Sequence, residues 1–178
     1  MNPTKLFTPF IGFGKKSGRC ALLPLSVRRL HLVMHNFEPG WDTYVEPPGY
    51  GIQADLSFDQ VDVRDYDAIL VLGGRAPEYL RNDRRLLELV QQFDAHQKWI
   101  FGICHGIQVL AAAGLTKDKC VTCYKHVRFE AEQAGAAFMS QQAVRDGRIV
   151  TAQTWQSHPE FYREIFACVV PNPHATRS

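Results

Sequence analysis

Gly102-Ile103-Cys104-His105-Gly106 gathers the most reactive chemistry of this chain into five residues. A cysteine with glycine two positions away on either side suits a sharp strand-to-helix turn. Backbone passes so close to backbone there that a Cβ at either glycine would collide, and the strained turn pushes the central side chain out over the strand ends. Unpaired N–H groups and the dipole at the start of the next helix favour a thiolate, lower the cysteine pKa and can hold a developing oxyanion. The chemistry this implies is nucleophilic attack by Cys104 with a base close by.

The other reactive side chains fit this picture without adding a second centre. Five cysteines, Cys20, Cys104, Cys120, Cys123 and Cys168, form an odd set without a secretory signal. They read as thiols of a reducing, cytoplasmic compartment rather than a disulfide framework. Cys120-x-x-Cys123 has no second Cys/His pair at finger spacing and sits in an apolar run, so both are read as half-buried thiols. His96 and His126 have no partners at metal spacing, and Gly73-Gly74 alone is too little for a phosphate loop. The sequence calls for no metal and no cofactor. Trp41, Tyr44 and Tyr50 are expected to plug a core edge or line a pocket or subunit contact.

A turn of this kind needs a strand before it, a helix after it and a sheet to hold both. The chain has 178 residues and 46% hydrophobic content, enough for one sizeable core. Asp67-Ala-Ile-Leu-Val-Leu-Gly73 reads as a buried parallel strand. After Asn82 or Asp83 as N-cap, Leu86, Leu87, Val90 and Phe93 recur at helical spacing. Lys98–Ile103 is the strand that feeds the turn, and His105–Ala113 is the helix that leaves it, closed by Gly114. Lys119–Tyr124 is expected as a third strand and Val127–Ala134 as a helix. Ala143–Ala152 forms a hairpin turning at Asp146-Gly147, and a last helix spans about Pro159–Val169.

Charge is unevenly spread around a net +2: residues 1–37 carry six Lys/Arg and no acid, leaving 14 basic and 18 acidic residues for the rest. A mildly acidic body argues against a nucleic-acid footprint, and no apolar run is long enough to span a bilayer. The basic lead, residues 1–34, is poorly specified and also compatible with organelle targeting. The expected organisation is therefore 1–34 as an atypical lead, 35–170 as the domain and 171–178 as a frayed tail.

Gly73-Gly74-Arg75-Ala76-Pro77-Glu78-Tyr79-Leu80 followed by Ile103-Cys104-His105-Gly106 resembles the DJ-1/PfpI family over roughly residues 35–170. The resemblance implies an α/β, flavodoxin-like three-layer sandwich with a mostly parallel sheet and a nucleophile elbow at Cys104, of the kind shared with class I glutamine amidotransferases. It implies glyoxalase, deglycase or peptidase activity, small carbonyl or acyl substrates, and homodimers or hexamers. It makes Cys104 the reactive cysteine and His105 its histidine, with the N–H groups near Gly74 and His105 as the oxyanion site. It also lets Glu78 orient a histidine of an adjacent subunit. The family's opening strand carries a glutamate toward the cysteine, whereas residues 1–34 hold no acidic residue and Glu38 is the first. The resemblance therefore leaves this chain without that βα unit and its carboxylate. Ser157-His158-Pro159-Glu160 offers an alternative triad, because amidotransferases pair a His-x-Glu with such an elbow; Ser157 and Glu160 equally have capping-box spacing. A non-catalytic stress or redox sensor built on Cys104, with no turnover, is the second expectation, and the amidotransferase-like subunit the third.

Overall fold

The computed structural model describes residues 47–169 together with 10–14, 20–23, 29–33, 40 and 45, the strands at 10–14, 20–23 and 29–33 by their backbone only. Trp41, Tyr44, the Tyr50 side chain and the 171–178 tail lie outside the described residues. Ten strands are present among the described residues: β1 (Phe10–Gly14), β2 (Cys20–Leu23), β3 (Arg29–Val33), β4 (Pro48–Gln53), β5 (Tyr66–Val71), β6 (Trp99–Ile103), β7 (Cys120–Val121), β8 (Ala137–Phe138), β9 (Ala143–Asp146) and β10 (Ile149–Ala152). Five α-helices accompany them: α1 (Ala76–Leu80), α2 (Arg84–Ala95), α3 (Ile107–Ala112), α4 (Arg128–Gln133) and α5 (His158–Val169). None is long and apolar enough to cross a membrane.

The main sheet runs β2-β1-β5-β6-β10-β9. Its centre is parallel: Ala68 pairs with Trp99 and Val71 with Gly102, and Ile149 pairs with Ile100 and Ala152 with Ile103. Side chains alternate between two cores, as a strand covered on both faces requires. Ile69, Val71, Ile100 and Ile149 meet Leu86, Leu89, Val90, Phe93, Val109 and Leu110 on one side. Ala68, Leu70, Phe101, Val150 and Ala152 meet Phe161 and Ile165 of α5 on the other. This is the three-layer, flavodoxin-like α/β arrangement with its parallel heart, to which antiparallel strands are added at both edges.

Those edges refine the expectations. The place beside β5 is filled by β1, running antiparallel with Ile11 opposite Leu70 and Phe13 opposite Ala68. No residue of β1 or β2 is acidic. The Ala143–Ala152 hairpin forms as expected, with Asp146 opposite Ile149 and Gly147 at φ 61. The segment expected as a strand over 119–124 shortens to β7, paired with β8 in a separate two-stranded sheet. Beyond Val121 the ladder stops because Thr122 N–H donates to Thr151 Oγ1 at 2.8 Å and Thr122 Oγ1 donates to the Gln141 carbonyl at 2.9 Å. Side-chain oxygens have replaced a neighbouring strand. In α2, capped by Asp83 accepting from Leu86 N–H, the buried face is Leu86, Leu89, Val90 and Phe93, with Leu87 half-buried, so Leu89 takes the buried place expected of Leu87.

Candidate active site

Strand β6 ends at Ile103 and a single 3-10 turn, Cys104–Gly106, leads straight into α3. The chain reverses on Cys104 itself, whose φ of 61° places a side-chain-bearing residue in the left-handed region. Such a conformation is retained only when the surroundings over-determine it, and three glycines do so here. A Cβ on Gly106 would lie 2.5 Å from the Val71 carbonyl oxygen, one on Gly102 would lie 2.9 Å from Leu110 Cδ1, and one on Gly73 would lie 2.6 Å from Cys104 Cβ. Gly106 and Gly73 are therefore wedged against backbone or Cβ that cannot swing aside. The expected elbow is present, and its glycines are required by contact rather than by φ.

The N–H groups near Gly74 and His105 are the expected oxyanion donors, and the structure adds a role for the preceding glycine. The residue pressed against Cys104 is Gly73, whose Cβ position would also lie 3.2 Å from Sγ, and Gly74 follows at φ 84 as the chain turns toward α1. The doublet thus divides the work: one glycine admits the cysteine, the other makes the turn.

Cys104 is buried at 9% exposure, and its Sγ lies 3.3 Å from His105 Nδ1, within range of a sulfur hydrogen bond. The His105 ring packs 5.2 Å from Tyr124, and Tyr124 packs 4.9 Å from His126. Burial first, then the negative charge of Cys104, pushes the Tyr124 phenol up, so it stays protonated. Burial likewise pushes the neighbouring Cys123 thiol up to about 12, with the Cys104 charge as the next cause. The two cysteines expected to be half-buried therefore divide: Cys120 is exposed, whereas Cys123 is 1% exposed and protonated. Neither Tyr124 nor Cys123 carries a sequence signal of its place at the site, because both arrive through the side-chain bonds at Thr122.

Glu78, on α1, accepts from Arg75 Nη2 at 3.2 Å within this chain. His158 begins α5, is exposed, and has Tyr162 as its ring partner at 5.3 Å. Neither His158 nor Glu160 makes a hydrogen bond or ring contact with Cys104 among the described residues. Ser157 is not the partner of Glu160 in a capping box. It ends a 3-10 turn, Trp155–Ser157, where its Oγ accepts from Thr154 N–H at 3.3 Å and donates to Gln142 Oε1.

One polar cluster escaped the sequence reading. Gln108, one turn beyond Cys104 and 4% exposed, donates from Nε2 to Glu130 Oε2 at 2.8 Å. Arg81 Nη1 donates to the same oxygen at 2.7 Å. The end of α1, the elbow helix α3 and α4 are thereby tied at one carboxylate. Gln108 Oε1 has no hydrogen-bond partner among the described residues.

With this geometry in place, comparison with known proteins gives a consistent answer. A profile of the DJ-1/PfpI family matches residues 28–168. The chain is 36% identical over 143 residues to protein DJ-1 homolog D of Arabidopsis thaliana, covering 78% of this chain and 37% of that one. It is 36% identical to protein/nucleic acid deglycase 2 of Escherichia coli, covering 64% and 66% of the two chains. Deglycase PfpI of Pyrococcus furiosus is 34% identical over 59% of this chain and 63% of its own. Among solved structures, a ThiJ/PfpI domain protein from Brachyspira murdochii superimposes with a TM-score of 0.64 at 30% identity, covering 68% and 70%. Schizosaccharomyces pombe DJ-1, at 23% identity and a TM-score of 0.62, shares the fold. The chain thus spans about two thirds or less of the full length of these curated relatives. A glycine-wedged cysteine at the head of a parallel strand and a profile match across most of the sequence agree: this chain belongs to the DJ-1/PfpI family.

Proposed function

We propose that the protein is a cysteine-dependent enzyme acting on small reactive carbonyls, in the manner of a glyoxalase or deglycase, or on acyl bonds. The observation that carries this reading is the left-handed Cys104, fixed by Gly73 and Gly106 with its Sγ 3.3 Å from His105 Nδ1. What sets this position apart is the packing of glycines around the cysteine, which holds it at that φ with its Sγ beside an imidazole. In the first step the Cys104 sulfur bonds to the carbonyl carbon and the carbonyl electron pair moves to oxygen. His105 takes the thiol proton and returns it to that oxygen, giving a hemithioacetal from an aldehyde. Backbone N–H groups around Gly74 and His105 hold the oxyanion meanwhile. With no carboxylate in residues 1–34, His105 carries the proton transfer that a glutamate of the opening strand would otherwise share. The deglycase names of the Escherichia coli and Pyrococcus furiosus relatives support the carbonyl class.

The same reading includes assembly into a homodimer or hexamer, in which Glu78 reaches a histidine of a neighbouring subunit. Tyr79 beside it, 70% exposed, supports a contact on that helix. Light scattering on the purified chain tests the assembly.

The activity is tested by following methylglyoxal loss and lactate formation with wild-type and Cys104→Ser protein, glutaminase activity running in parallel. Repeated turnover that disappears in the variant supports the enzyme. Stoichiometric reaction of Cys104 with peroxide and no turnover replaces it by a redox sensor. Glutaminase activity that His158→Ala abolishes replaces it by an amidotransferase-like subunit.

A further inference from the structure

The two glycines that hold Cys104 each lead into a helix. Gly73 presses on the cysteine, and the chain runs on through the Gly74 turn into α1; Gly106 presses on the Val71 carbonyl and opens directly into α3. The relation between α1 and α3 therefore sets how tightly the two glycines close on Cys104.

That relation is fixed by a polar junction. Arg81, which caps the end of α1, donates from Nη1 to Glu130 Oε2 at 2.7 Å, and Gln108, in the first turn of α3, donates from Nε2 to the same oxygen at 2.8 Å. Glu130 lies on α4, whose Ala131 shares one apolar core with Leu80 of α1 and Ile107 of α3. Gln108 follows Gly106 by two residues, and α1 fills most of the span from Gly74 to Arg81, so a displacement at Glu130 is passed along short helical segments to both glycines rather than absorbed.

The junction is kept at a cost. Gln108 is buried, and with its nitrogen committed to the carboxylate its Oε1 has no hydrogen-bond partner among the described residues. An unmet buried acceptor is unfavourable, whereas an apolar side chain of similar size would pack there without that penalty. What the amide adds is direction: two donors converging on one oxygen admit a narrow range of helix positions, while apolar surfaces allow several packings.

We propose that Glu130 is a positioning residue for Cys104, holding α1 and α3 in the relation that keeps Gly73 and Gly106 wedged around the cysteine. It acts through the two helices and not on the thiol. The proposal rests on the reading of Cys104 as the reacting thiol.

The rate of Cys104 alkylation by iodoacetamide, mapped by mass from pH 5 to pH 9 on the full chain, tests it beside thermal unfolding. Glu130→Ala is expected to slow the reaction at pH 7 about tenfold and to move the midpoint of its pH profile upward, because a small misplacement of reacting groups suffices for such a loss. Gln108→Met keeps the volume and removes the unmet acceptor, so it should unfold at no lower temperature than wild type and still react about tenfold more slowly. Glu130→Gln offers one oxygen to both donors and should stay within about threefold of wild type. Glu132→Ala, on the same helix, breaks the ion pair with Arg128 and should leave the rate unchanged. Unchanged rates and pH profiles in both Glu130→Ala and Gln108→Met, whatever their melting temperatures, overturn the proposal, as does an equal slowing by Glu132→Ala. Unactivated Cys104 in the unsubstituted protein is a separate outcome, seen without any variant, and removes the reacting thiol and this proposal together.

Discussion

The two ends of strand β6 are built by opposite means. At Ile103–Cys104 the chain is closed in by its own backbone: Gly73 against Cys104, Gly106 against the Val71 carbonyl, and a cysteine at 9% exposure. At Lys98–Trp99 the strand opens into a cavity, and its character comes from side chains delivered by four different segments. Backbone crowding can be satisfied only by glycine at fixed spacing, so it leaves a signature in the sequence. A gathered cavity tolerates many residue types and leaves none.

The contrast predicts where substitutions will hurt. Gly106→Ala forces a Cβ to within 2.5 Å of a backbone oxygen and is expected to cost about 3 kcal/mol, read from urea unfolding, because no flexible side chain can yield. Gly114→Ala is the control: φ there is 76° with nothing within 4 Å, so about 1 kcal/mol is expected from conformation alone. Comparable losses at the two glycines would remove crowding as the cause.

A thiol beside the elbow sharpens the comparison through pH. Cys123 has its pKa raised from 9.0 to about 12, so the folded state prefers the protonated form. Its contribution is complete below pH 9 and falls by roughly 1.4 kcal/mol per pH unit as pH rises toward 12, where the unfolded chain binds fewer protons. The stability difference between wild type and Cys123→Ala should therefore shrink between pH 8 and pH 10.5; a difference that stays constant would mean that the thiol is not held protonated. Smaller still is the effect of the Gln108–Glu130–Arg81 tie. Glu130→Ala leaves the buried Gln108 amide without its acceptor, an expected loss of about 1–2 kcal/mol in thermal unfolding. At the open end, Arg148→Gln should change thermal stability by no more than about 0.5 kcal/mol, since an exposed guanidinium supports little of the core.

Legibility in the sequence followed the same divide. The elbow, the strands that became β5 and β6, the Asp146-Gly147 hairpin and the last helix are local features, each written in neighbouring residues, and the structure contains them all. What could not be read depends on partners distant in the chain. Residues 122–124 do not extend β7 because Thr151 offers a hydroxyl, a fact of tertiary placement. Tyr124 and Cys123 reach the site by that detour. The buried face of α2 follows Leu89 rather than Leu87, as only the sheet beneath it could decide. Residues 10–14 carry no pattern that reveals an antiparallel place beside Leu70. Gly73 and Gly74 were legible as a pair, but their separate tasks required the contact with Cys104.

If the elbow rather than exposure makes Cys104 reactive, competition among the thiols will show it. Mapping the adducts formed at pH 7 with less than one equivalent of iodoacetamide sets Cys104, at 9% exposure, against the exposed Cys120. Cys104 is expected to be labelled at least tenfold faster than Cys120, with Cys123 untouched; labelling that follows exposure, with Cys120 ahead of Cys104, would mean that the elbow does not activate the thiol.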